Sequence, residues 1–459
     1  MPAIYTMKHK HSGVEHNYGC VYMQTAGRIV AESLEIEKYG IKLLNPVFDL
    51  DFGAPAMAAS MVGMGQTLEF SKPVCVAALM KGSAALVKYT SYMEAQGKKL
   101  LASLQPEDKV LVLISRPYNI GDPTLNMKIG KLLIDRGYKV ITVEHLPAED
   151  TDISNQYPDF YWPFSQHIVT GAKQIRRHPN LHAVYLTNHG CGPDTMLTHV
   201  FRKEMEGKPY LQIEVDEHYS PVGIITRIEA FLNSLTHQTS CIVPEDFDVR
   251  AIPVEHFEIR RTPSGERKLY IPYMPVYAEL LADYYRRSYQ VQAIVLPPVG
   301  EEQLQIGRDV TSTKEYITFT ALLGSILWQA TQDEEPFDVL VPENQGADAD
   351  GVFARVIASI LEEKGLSDRI GIITPMLEKM PTQEADISLL FRGLLTGDIL
   401  YHIPGEKREK YIPAQIPDAE QLLELAGIDT DLPLYHLAVD ADEDDNLMNA
   451  LESFLFYLY

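Results

Sequence analysis

The chain has 459 residues, of which 46% are hydrophobic and 22% charged, and its formal net charge is −23 at pH 7. That length predicts two or three domains, because a single core stops growing at about 250–300 residues. The acidic balance argues against nucleic-acid binding, which needs basic surface against phosphates. No secretory signal and no apolar run long enough to span a bilayer is visible, and the four cysteines are widely scattered, so we expect a cytoplasmic protein.

The first hundred residues contain helical patterns and little strand pattern. A helix is predicted over 26–39, a strand over 41–47, and a long helix rich in Ala, Met and Lys over 70–104. These elements are too few for a complete domain. We therefore interpret residues 1–104 as a partial N-terminal lobe that ends in a long helix.

Strands and helices then alternate, which is typical of a parallel doubly wound sheet. The predicted strands of the first series are 110–115, 139–143, 181–186 and 210–215, and the predicted helices are 125–137, 164–177, 194–206 and 222–235. These elements define a Rossmann-like domain over 105–240. A second series fills 241–400 as a second Rossmann-like domain, and 401–459 form a C-terminal tail. The predicted fold is α/β, with two such lobes joined by a long helical segment.

Cys191 lies between Gly190 and Gly192, where a predicted strand gives way to a helix. In open α/β sheets this edge carries the chemistry. A helix N-terminus favours the thiolate, which binds metal or attacks an electrophile. The alternative is an inert cysteine in a tight turn.

Cys20 is also preceded by glycine and followed by a helical pattern, so the two thiols form a possible metal-binding pair. Soft thiolates suit iron–sulfur clusters or zinc, although two are fewer than either site normally uses. Cys75 falls inside an apolar helix and is expected in the core. No role can be assigned to Cys241.

Two further groups follow predicted strands directly. Arg116, in Arg-Pro-Tyr-Asn, could bind a carboxylate or phosphate of a ligand, or could tie down its own loop. Residues 216–218, Asp-Glu-His, fit either an acid/base group that faces a ligand or a helix-capping cluster.

These motifs together resemble the family of 2-hydroxyacyl-CoA dehydratases and acyl-CoA dehydratase activase-related proteins, which are kin to double-cubane cluster proteins. The resemblance rests on Arg-Pro-Tyr at 116–118, Asn-His-Gly-Cys-Gly-Pro-Asp at 188–194, Glu-Val-Asp-Glu-His at 214–218 and the helical segment 224–235. It covers most of residues 14–236.

The resemblance implies an anaerobic system in which an ATP-hydrolysing activator delivers low-potential electrons to an oxygen-sensitive iron–sulfur cluster. It assigns Cys20 and Cys191 as metal ligands to a [4Fe-4S] cluster, and its motifs supply the candidate cofactor-binding residues Arg116, Tyr118, Asn119, His189, Gly190, Gly192 and Asp194. The family's Cys-Tyr-Pro-Ala-Lys cysteine has no counterpart. We therefore expect a split or truncated member, with a companion chain that supplies the missing part of the first lobe and at least one ligand.

Tyr316 and Asp348 stand where the family has cysteines in its second lobe, so that lobe is predicted to be structural and free of a cluster. ATP would be hydrolysed elsewhere, because the chain has no Walker-type loop. Two other functions remain open. One is a scaffold or regulatory subunit without a cluster. The other is an enzyme with Cys191 as nucleophile and His189 or His218 as base.

Overall fold

The computed structural model of the protein describes residues 1–7, 12–14, 16–147, 152–216, 221–237, 267–274, 277–312, 314–341 and 346–374. The chain divides into two compact units. The first holds the described residues within 1–252 and 344–352, and the second holds those within 253–343 and 353–459.

The first unit contains two parallel sheets. The strands of the small sheet are β1 (Ala3–Ile4) and β2 (Val47–Phe48). The strands of the larger sheet are β3 (Val110–Ile114), β4 (Lys139–Thr142), β5 (Leu181–Asn188) and β6 (Leu211–Val215), in the order β4-β3-β5-β6. Strand β3 is buried along its whole length, as its continuous apolar run predicts for a central parallel strand.

Helices cover both faces of this larger sheet. The helices of the first unit are α1 (Val21–Ser33), α2 (Gly53–Thr67), α3 (Lys72–Leu101), α4 (Pro117–Gly121), α5 (Ile129–Asp135), α6 (Pro163–Arg177), α7 (Gly192–Glu204) and α8 (Pro221–His237). Helices α5 and α8 share a core cluster with Leu113 and Val184 on one face. On the other face Tyr185 stacks on Phe201 of α7, with ring centroids 4.3 Å apart. The α/β prediction with parallel sheets is therefore confirmed.

The second unit repeats this strand order. Its strands are β7 (Lys268–Ile271), β8 (Ala293–Val295), β9 (Phe337–Leu340) and β10 (Ile370–Ile373), all parallel, in the order β10-β9-β7-β8. Its helices are α9 (Tyr277–Tyr289), α10 (Glu301–Arg308), α11 (Ile317–Gln332) and α12 (Phe353–Glu363). In both sheets the first strand in sequence lies between the second and the third.

Three predicted elements differ from the structure. The helix predicted from residue 125 begins at Ile129, because the Asp122 carboxylate accepts hydrogen bonds from the backbone N–H groups of Thr124 and Leu125 and holds a turn there. The strand predicted over 41–47 is reduced to β2. The helix predicted over 26–39 is α1 followed by a 3₁₀ turn, Ile36–Tyr39, with a break at Glu35, whose φ is 47°.

Among the described residues, no helix combines the length and the apolar character needed to cross a membrane.

Candidate functional site

The candidate site lies at the carboxyl ends of β3 and β5. The chain leaves these neighbouring strands toward opposite sides of the sheet, because β3 is followed by β4 and β5 by β6. Such a reversal of strand order opens a crevice, where open α/β sheets bind ligands. The segments that begin at Arg116 and His189 both start at this edge, as the sequence predicts.

A buried ion pair joins the two segments. Arg116 Nη1 lies 2.6 Å from Asp194 Oδ1, and both side chains are almost completely buried. The Tyr185 hydroxyl donates to the same carboxylate at 3.3 Å, and the backbone N–H of Asn188 donates to its other oxygen at 3.2 Å. Arg116 therefore binds a carboxylate of its own chain, which ties the loop after β3 to the first turn of α7.

Asn119 adds a second link between the same strand ends. Its side-chain amide donates to Ser115 Oγ at 3.1 Å and to Asn188 Oδ1 at 2.9 Å. Ser115 Oγ in turn donates to the carbonyl of Leu186 at 2.7 Å. Asn119 is 2% exposed, so its place is within the framework of the crevice.

Cys191 occupies the N-cap position of α7, as its sequence context predicts. Gly190 before it has a φ of 67°, a left-handed conformation that glycine adopts without steric cost. The Cys191 side chain is neither fully buried nor exposed.

The expected thiolate character of Cys191 is wrong for the protein without a bound metal. Burial raises the pKa of its thiol to about 12, and the Asp194 carboxylate acts in the same direction. Arg116 and the backbone N–H of Asp194 lower the pKa, but their effect is smaller. The rise in the pKa that burial causes is larger than the fall that the helix N-terminus causes, so the thiol is protonated at neutral pH.

Cys20 lies at the N-cap of α1. It is near enough to Cys191 and Tyr118 to contribute electrostatically to their raised pKa values. The preceding residue must be small, because a Cβ on Gly19 would lie 2.1 Å from the carbonyl oxygen of Ile4. The two cysteines that the sequence analysis paired are therefore within electrostatic range of each other, and their joint role as metal ligands stays a prediction.

Tyr118 and His189 are the more accessible candidates. Burial raises the pKa of the Tyr118 hydroxyl to about 12, with smaller effects from the neighbouring charges. His189 is exposed, and its Nδ1 lies 2.8 Å from Glu214 Oε1. The sequence analysis did not assign partner roles to Glu214 or Tyr185, although Glu214 belongs to one of the motifs and Tyr185 is a polar residue in an apolar strand.

The remaining candidates lie elsewhere. Cys75 is buried in α3, as expected. Asp216 is described just after β6, whereas Cys241, Glu217 and His218 lie outside the described residues. Tyr316 is the N-cap residue of α11 in the second unit, and Asp348, in the first unit, accepts a hydrogen bond from the backbone N–H of Ala349.

This arrangement offers two soft sulfur donors near a crevice whose edges are held together by buried polar contacts. Within the ranges that the structure describes, no group of three or more His, Cys, Asp or Glu side chains is placed to hold a metal ion. The donor type fits an iron–sulfur cluster, but the donor number is incomplete in this part of the chain. A protonated Cys191 is a poor nucleophile, so its raised pKa does not favour the interpretation of the protein as an enzyme with Cys191 as nucleophile.

Comparison with protein families gives one match. Residues 1–146 match a family model described as CoA enzyme activase uncharacterised domain. No match was found among curated proteins or among solved structures. The match includes Cys20 and Arg116 but ends before Cys191, and it supports the activase-related part of the resemblance.

The buried ion pair generates a test of the framework. We expect Asp194→Asn to lower the free energy of unfolding by about 3–5 kcal/mol, because it leaves the Arg116 charge buried without its partner. Arg116→Met should cost a similar amount, and the double variant should cost less than the sum of the two. Urea unfolding of the full chain measures all three. Lys38→Ala, which breaks the exposed pair with Glu35, is the control and should change stability by about 0.5 kcal/mol or less. Additive costs would contradict this account.

The raised pKa of Cys191 generates a second test. In metal-free protein at pH 8, iodoacetamide should modify Cys191 roughly a thousandfold more slowly than an ordinary thiol, because a rise of the pKa from 9.0 to about 12 reduces the thiolate fraction at this pH by about that factor. Peptide mapping by mass spectrometry measures the rate at Cys191, and the urea-unfolded chain is the reference. Equal rates in folded and unfolded protein would refute the assignment.

Proposed function

We propose that the chain is a subunit of an anaerobic, ATP-dependent iron–sulfur system related to the CoA enzyme activases, of the dehydratase or double-cubane reductase type. Cys20 and Cys191 supply two ligands to a [4Fe-4S] cluster, and a companion chain supplies the rest. The observation that supports this proposal is that two thiols from distant parts of the sequence, each at a helix N-cap, are within electrostatic range of each other.

The surroundings of the two thiols suit this role. The Arg116–Asp194 pair and Asn119 hold the loop that carries Cys191, and metal sites need such rigid outer partners. Gly190 and Gly192 leave the flanks of the Cys191 sulfur free of side chains, and Tyr118 and His189 are the groups accessible from solvent. A bound cluster would supply one-electron transfer at low potential.

Metal binding is coupled to proton release at Cys191. Only the thiolate binds metal, so a ligand with a pKa of about 12 must lose its proton as the metal binds. Assembly should therefore be favoured by higher pH, and by any partner that places positive charge near the sulfur. Hydrolysis of ATP belongs to a separate activator.

The test is anaerobic purification of this chain together with its companion, followed by iron and sulfide analysis and electron paramagnetic resonance. We expect about four iron and four sulfide per complex, and Cys20→Ser or Cys191→Ser should each lower the iron content by half or more. Cys75→Ala is the matched control, because Cys75 is buried away from the crevice, and it should retain the iron. Circular dichroism confirms that each variant is folded. An iron-free complex, or full iron in both crevice variants, would overturn the proposal.

A scaffold or regulatory subunit without a cluster is the second candidate. It is favoured by the protonated state of Cys191 and by the two-thiol donor set. The same experiment separates the two functions, because a scaffold predicts an intact and active complex after both crevice thiols are replaced. The cluster proposal predicts that iron and activity are lost together.

A further inference from the structure

Helices α2 and α3 pack together as a hairpin, and most of their side chains are exposed in the described part of the chain. Val62 of α2 and Cys75 and Gly97 of α3 are the buried residues of these two helices. The side chains of Met80, Leu86 and Val87 are 69%, 64% and 65% exposed. An apolar surface of this extent marks an interaction site.

The hairpin is also anchored, so its exposure does not come from a detached helix. Cys75 packs against Gly65 of α2, and the C-terminal part of α3 contacts the 3₁₀ turn Val143–His145 beside β4. The Tyr89 hydroxyl donates to Glu144 of that turn at 2.8 Å. The apolar surface is therefore presented in a fixed position relative to the first unit.

The exposed apolar residues of α3 cover about two thirds of its circumference. At about 100° per residue, Val74, Tyr89, Leu86 and Val76 follow one another around the helix. A helix that lies on a lipid surface has one apolar face and one polar face. An apolar surface that wraps most of a helix is instead typical of burial within protein, so a protein partner fits better than a membrane.

The charges on the hairpin indicate what kind of protein the partner is. The chain as a whole has a net charge of −23, but α2 has no charged residue and α3 has five lysines and one glutamate. Lys81, Lys88 and Lys99 fall on one side of α3 at helical spacing. This stripe is complementary to an acidic surface.

The small sheet beside the hairpin gives a second, independent observation. Strands β1 and β2 form a parallel sheet of two strands in the described part of the chain, and Val47 of β2 is 47% exposed. Parallel sheets occur as larger, covered structures, and two strands alone are marginally stable. Helix α2 contacts β2, so the open strand lies beside the hairpin.

We propose that α2, α3 and the free edge of β2 form the docking surface for the companion chain, an α/β protein that adds a parallel strand to β2 and covers the hairpin with an apolar and acidic face. This inference rests on the companion chain of the proposed function. It adds where that chain binds and what its surface must contain.

Site-specific photo-crosslinking identifies the occupant. The full chain is produced in its native cells with p-benzoylphenylalanine at Met80 or Leu86, and at Ile134 as a control, which is an apolar residue of α5 that is 57% exposed. We expect one and the same α/β polypeptide to be attached at Met80 and Leu86, through peptides rich in Asp and Glu, and not at Ile134. Attachment to residues 375–459 of the same chain, to a second copy or to lipid alone would overturn the proposal.

Binding of the purified companion then tests the surface itself. Leu86→Asp and Val87→Asp should each weaken binding at least tenfold, because they place a negative charge opposite an acidic, apolar face, whereas Ile134→Asp should leave it unchanged. Val47→Pro should also weaken binding, because proline disrupts strand pairing. Unchanged affinity in the two α3 variants would refute the docking surface.

The measurement is repeated with metal-free protein and with the Cys20→Ser/Cys191→Ser variant. Binding that persists without iron supports the docking surface independently of the cluster. A complex that forms through this surface in the native cells, but contains no iron after anaerobic purification, would refute the cluster proposal alone.

Discussion

The ion pair between Arg116 and Asp194 is the interaction on which the crevice depends. Two charges that are removed from water are tolerated only while they remain paired, so the loop after β3 and the first turn of α7 are held together wherever the chain is folded. Cys191 precedes that turn directly, and both charges of the pair affect the pKa of its thiol. The ion pair therefore fixes the position of the thiol, whereas burial, the larger effect, raises its pKa.

Comparison of the two units shows that the fold alone does not determine the function. Both larger sheets have the same strand order, and both place their first and third strands in sequence side by side. Within the described residues, the cysteines at a helix N-cap are Cys20 and Cys191, both in the first unit. The candidate metal-binding thiols thus belong to the loops and helix starts of one of two sheets with the same strand order. In α/β folds function generally depends on such local groups and not on the fold itself.

The sequence predicted most of the strands but not the contacts between their ends. Strands such as β3 and β5 are continuous apolar runs, and burial on both faces is the reason they can be recognised. Helix α5 was predicted too long, because side-chain hydrogen bonds of Asp122 compete with the helix. The partner of Arg116 lies far along the chain, and no local pattern distinguishes a buried carboxylate from a bound ligand. The pKa of Cys191 depends on burial, which position at a helix start does not reveal.

The two-stranded sheet and the Cys20 thiol are physically connected through the described residues among the first twenty. Beyond β1, Thr6 pairs with Tyr18, and the backbone N–H of Gly19 donates to the carbonyl of Tyr5 at 2.8 Å. Cys20 follows immediately and begins α1, which packs on β1. A partner that adds a strand to β2 would stabilise β1 through the same sheet, and with it the backbone that positions the Cys20 thiol. Under the two proposals, one binding event would both extend the sheet and set one of the two sulfur ligands in place, so the docking surface and the cluster site would act as a single unit.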